Sequence, residues 1–94
     1  MVRPVDITLE AEQICRVALR RSTGSVDPEA VRRCVQAIKR FATNHDMLMT
    51  DLEAELKEIG IRREIIVGYI LKRAERLRSA VAMRAMARGV SEEE

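Results

Sequence analysis

The stretch TDLEAELKEIGIRREIIVGYILKRAERLR, Thr50 to Arg78, places two helical runs on either side of the single residue Gly60. Leu52, Leu56 and Ile59 mark one face of the first run. Thr50-Asp51-Leu52-Glu53 predicts a capping box, with the Thr50 hydroxyl accepting from the Glu53 N–H and the Glu53 carboxylate accepting from the Thr50 N–H. Gly60 predicts a left-handed stop, because glycine has no Cβ to clash there, and Ile61 then falls where it packs back on Leu56. Beyond it Ile65, Ile66, Tyr69, Ile70, Ala74 and Leu77 recur at helical spacing. The result is a helix–Gly–helix corner in which nothing looks catalytic.

Upstream, Asp27-Pro28-Glu29 predicts a helix start: Asp27 caps, Pro28 needs no N–H donor, and Glu29 suits the positive end of the dipole. Val26 and Val31 are spaced as a hydrophobic staple. Val31, Cys34, Val35, Ile38, Phe41 and Ala42 then share a face, and the helix is expected to end near Asn44-His45. An earlier helix is expected over Glu10 to Arg21 from the stripe Ala11, Ile14, Cys15, Ala18 and Leu19. Val5 to Leu9 alternates as a short strand does, but also reads as the lead into a helix capped by Asp6 or Thr8.

Downstream, the last helix meets no further breaker until Gly89, with Gly68 tolerated inside, giving about 27 residues and roughly 40 Å. Its shorter predecessors are not expected to cover that length. Ala80, Val81, Met83 and Met86 lie in a segment that is apolar nearly all round, and such a helix wants a partner. Residues 1–89 therefore read as one helical domain and residues 90–94 as an acidic, solvated tail. The expected architecture is all-α: a single compact bundle of four to five helices with a long C-terminal helix.

Aromatic residues make up only 2% of the chain against 47% hydrophobic overall, which suits packed helices better than a sheet sandwich. No apolar run is long enough to span a bilayer, and the amino end lacks a signal-peptide core, so a cytoplasmic protein without membrane insertion is expected. Cys15 and Cys34 sit on apolar stripes and are expected to be buried free thiols. A disulfide between neighbouring helices is conceivable but needs a secreted context that the sequence does not support. The charge is uneven: Asp46 to Gly60 carries Asp46, Asp51, Glu53, Glu55 and Glu58 against Lys57, whereas Arg62 to Gly89 carries Arg62, Arg63, Lys72, Arg73, Arg76, Arg78, Arg84 and Arg88 against Glu64 and Glu75. Charge complementarity between the two is the simplest expectation.

His45, Met47 and Met49 include two soft thioethers of the kind that favour Cu(I), but no supporting shell accompanies them. The simpler reading puts His45 at a helix carboxyl end and Met47, Leu48 and Met49 in core gaps. No metal, cofactor or catalytic set is expected, since one imidazole without a partner makes no triad and no Gly-rich phosphate loop is present. A small DNA-binding regulator using the basic last helix is the alternative. Against it stand a net charge of only +2 and basic residues that wrap the helix rather than line one face.

Ala42-Thr43-Asn44-His45, followed by Leu52 to Ile61, resembles the amino-terminal helical domain of the COMM-domain-containing (COMMD) proteins. There an Ala-x-x-His run precedes Leu-x-x-Glu-Leu-x-x-Leu-Gly-Leu; isoleucine replaces leucine here at two places. Arg62 stands where the family often has proline, and no carboxyl-terminal COMM unit follows, as for an isolated amino-terminal domain or a short divergent relative. The resemblance implies a non-enzymatic adaptor of endosomal trafficking and regulatory assemblies. Its partners would be other proteins, COMMD-type or coiled-coil, and a weak homodimer through the last helix is left open. The expected interaction residues are Lys72, Arg73, Arg76, Ala80, Val81, Met83 and Met86.

Overall fold

A computed structural model describes residues 7–93, with side chains as far as residue 84. The order is α1 (Ile7–Thr23), α2 (Pro28–Thr43), α3 (Met49–Ile59), a short α4 (Arg63–Ile65), a π-helical turn (Ile66–Ile70) and α5 (Leu71–Glu93). No strand occurs among the described residues, so the chain is an all-α bundle. α1 begins at Ile7, which takes Ile7 to Leu9 into a helix; Val5 and Asp6 lie outside the described residues.

α2 is the hub, packing on α1, α3 and α5. Its start follows from its residues: the Asp27 carboxylate accepts from the Ala30 N–H at 3.0 Å and Pro28 takes the first turn. Its inner face buries Cys34, Ala37, Ile38, Phe41 and Ala42 almost completely. These meet Ala11, Cys15, Ala18 and Leu19 from α1, and Leu52 and Leu56 from α3, in one continuous core. No polar or charged side chain among the described residues is buried.

The third helix starts earlier than the capping-box pattern predicts. Leu48 is its N-cap, and the Asp51 carboxylate accepts from the Leu48 N–H at 3.0 Å. Thr50 therefore lies inside the first turn, two residues too late to cap it. An aspartate at the third helical position satisfies an orphan donor and faces the positive dipole end. The stop matches expectation. Gly60 adopts φ +105°, its N–H donates to the Lys57 carbonyl, and the Ile61 N–H reaches the Leu56 carbonyl at 3.2 Å. These two bonds form a Schellman closure, with Leu56 and Ile61 both buried.

From Arg63 to Glu93 the helical path is unbroken, about 46 Å of helix at 1.5 Å per residue. It accounts for the 50 Å long dimension of the molecule. Where a regular helix with a tolerated Gly68 is expected, the backbone widens instead: the Leu71 N–H donates five residues back to Ile66. Ile66 and Ile70 remain fully buried, and Ala74 and Leu77 continue their line. α5 also runs through Gly89 to Glu93, past the expected stop, a single interior glycine costing only about 1 kcal/mol.

No ion pair among the described residues joins the acidic α3 to the basic last helix. Among the described residues Glu55 pairs with Arg40 of α2, at 2.5 Å, and Glu53 pairs with Lys57 one turn along its own helix. α3 packs chiefly on α2.

Candidate functional site

α1 and the last helix cross leaving a groove of about 640 Å³. Ile14 and Val17 of α1, with Tyr69, Leu77 and Ala80 opposite, provide its apolar lining. Among the described residues Arg16, Arg73 and Arg76 line it with Glu10 as the one acid, so that part of its charged lining is predominantly cationic.

The cations there differ in how firmly they are held. Arg73 lies 3.8 Å from the Tyr69 ring centroid, and its Nη1 donates to the Tyr69 carbonyl at 3.1 Å. Arg21 approaches the same ring at 5.0 Å. Each such contact contributes about 0.5–1 kcal/mol at an exposed site, enough to bias a long side chain towards one place. Arg62 reinforces this end, its guanidinium donating to the Arg21 carbonyl and its backbone N–H to the Ser22 hydroxyl. Arg16 reaches Glu12 at 3.7 Å, a solvated pair of little energetic weight.

The expected interaction residues spread over the groove, an adjoining outer surface and the core side of α5, with Arg76 and Ala80 shared by the first two. Arg73, Arg76 and Ala80 line the groove. Lys72 and Met83 lie on a shallower outer surface with Glu75 and Ser79, and Met83 is 70% exposed. Val81 departs from expectation: it is partly buried and packs against the core, because α5 stays beside its neighbours further than helix lengths suggest. Ala80 too has α1 residues across the groove and is not beyond their reach. The side chain of Met86 lies outside the described residues.

Sequence reasoning missed the α1 half of the groove. Val17 lay off the stripe assigned to the α1 core, and an apolar residue off-stripe was the available signal. It also missed Arg78, whose guanidinium turns inward to the end of α2 instead of joining the basic surface.

The His45–Met49 segment is divided by the fold. Met47 is buried in the core, Met49 packs partly against it, and His45 is exposed in the turn after α2. Leu48, expected in a core gap, is instead the N-cap of α3 and is 62% exposed. Among the described residues no group of three His, Cys, Asp or Glu side chains is placed to hold a metal ion. Cys15 and Cys34 are buried and unbridged. Hydrogen bonding with Cys34, then burial, pushes the Cys15 thiol well above its ordinary range, which makes it a poor nucleophile. No helix among the described residues is long and apolar enough to cross a membrane.

Compared with family models, curated proteins and solved structures, the chain finds no match in any of the three.

Proposed function

We propose that the chain is a non-enzymatic protein-interaction module whose docking surface is the groove between α1 and the last helix. The observation that carries this reading is the groove itself: an apolar lining with arginines beside it, one of them held by an aromatic ring. Apolar area contributes affinity and neighbouring charge contributes orientation and on-rate, the division of labour common at protein interfaces. The resemblance of Ala42–His45 and Leu52–Ile61 to the COMMD amino-terminal domain adds a setting, a cytoplasmic adaptor in trafficking and regulatory assemblies. That setting rests on those residues alone.

A photo-crosslinking residue placed at Gln13, beside the groove, tests the module in its native cells against the same residue at Glu58 on exposed α3. Protein adducts specific to Gln13 are expected. Absence of such adducts, together with duplex DNA binding that weakens steeply with salt, would replace this reading with the DNA-binding one.

A further inference from the structure

Resting on that reading, we infer that the occupant of the α1–α5 groove is an acidic amphipathic helix of a partner protein. Three observations converge on this class of ligand. The groove runs along the last helix from Tyr69 to Ala80, about 16 Å at 1.5 Å per residue. That length seats apolar anchors at positions i, i+4 and i+7 of a bound helix, which span about 10 Å. The lining between Ile14, Val17 and Leu77 is apolar, as such anchors require. Finally, with Arg16 paired to Glu12, Arg73 and Arg76 against Glu10 leave a cationic surplus among the described residues beside the groove, complementary to carboxylates flanking the anchors.

The acidic helix of a second copy does not meet the requirement. α3 has carboxylates, but its apolar residues Leu52 and Leu56 are fully buried in their own bundle. A second concave surface between α1 and α2 is smaller, about 510 Å³, and two of its four cations are engaged, Arg32 by Glu29 and Arg16 by Glu12, so it serves as the comparison in the test. Arg73, by contrast, is held against Tyr69 with donors remaining for a carboxylate.

The experiment uses two fluorescein-labelled helical peptides with leucines at i, i+4 and i+7, one flanked by glutamates and the other by lysines at the same positions. Fluorescence anisotropy is measured at low and high salt on the wild-type chain and two double variants. Arg73→Glu with Arg76→Glu alters the groove, and Val31→Glu with Lys39→Glu alters the other surface; circular dichroism and urea melts establish that each variant is folded. The expected result is binding of the glutamate peptide only, weakened by salt and at least about tenfold by the groove variant, and unaffected by the other. Equal binding of both peptides, binding of neither, or loss only in the Val31/Lys39 variant overturns the inference. If no peptide binds while Gln13 still yields protein adducts, the interaction-module reading stands and only the acidic helix is wrong.

Discussion

The Arg78 guanidinium lies over the Phe41 ring, 3.6 Å from its centroid, while its Nε donates to the Phe41 carbonyl at 2.9 Å. Its Nη2 donates to the Asn44 carbonyl, also at 2.9 Å, and to the Met47 carbonyl. One side chain of α5 thereby satisfies carbonyls at the end of α2 and in the turn leading to α3. The Phe41 and Asn44 carbonyls lie at the negative end of the α2 dipole, and the Asn44 carbonyl also accepts from the Met47 N–H at 3.1 Å. We predict that Arg78→Ala destabilises the bundle by about 2–3 kcal/mol, since charge-assisted bonds are lost and the Phe41 and Met47 carbonyls lose the arginine, the Asn44 carbonyl keeping the Met47 N–H. Arg78→Lys should recover only part of this, lacking the planar fork. Urea melts decide it; equal midpoints for wild type and alanine variant would show that water replaces the arginine at no cost.

Gly60 and Gly68 should respond oppositely to the same change. A Cβ at either would touch nothing within 4 Å, so steric crowding by neighbours is not at issue. Gly60 sits at φ +105°, where a side chain is strained, so Gly60→Ala should cost about 1 kcal/mol and Gly60→Val more. Gly68 is in the helical run without positive φ, so Gly68→Ala should stabilise by about 0.4–1 kcal/mol by limiting the unfolded chain. Chemical melts of the three variants supply the test. A loss at Gly68 would mean that the π turn itself requires glycine.

Val81→Glu and Met83→Glu separate the inner from the outer face of α5. The first places a charge against the core and should cost about 1 kcal/mol or more, while the second should stay within about 0.5 kcal/mol. Thermal melts with circular dichroism distinguish them. Equal losses would place both residues on the same face.

Glu29 should titrate below its ordinary value of 4.5, chiefly because Arg32 Nε donates to its carboxylate at 3.0 Å. A carboxyl whose folded pKa is depressed contributes stability above its unfolded pKa, and that contribution is lost as pH falls through the folded value. Full exposure makes the effect small and salt-sensitive. NMR titration of the Glu29 carboxyl in wild type and Arg32→Gln gives the answer; coincident midpoints would remove the arginine as the cause.

Cys15 and Cys34 should resist thiol reagents in the folded chain at mildly alkaline pH and react fully once unfolded. Burial closes access, and the raised Cys15 pKa limits thiolate formation. Labelling followed by mass spectrometry at increasing urea checks this. Rapid modification in the absence of denaturant would contradict the buried interface.

The sequence determined most of what is local. Asp27-Pro28-Glu29 placed the start of α2, because a cap is a bond between residues three apart. Gly60 placed the end of α3, because positive φ selects glycine wherever the chain later packs. The apolar stripes named the core, since helical periodicity puts residues three and four apart on one face. Tertiary structure alone decided which α1 residues line the groove, that Val81 is packed, and that Arg78 binds α2 instead of joining the basic surface. It also decided that, among the described residues, Glu55 and Glu53 of α3 pair with Arg40 and Lys57 and not with the last helix. A solvated arginine and one that caps a distant helix look the same in sequence. Their difference lies in the crossing of α5 over α2, which is set by how the side chains of both helices interlock.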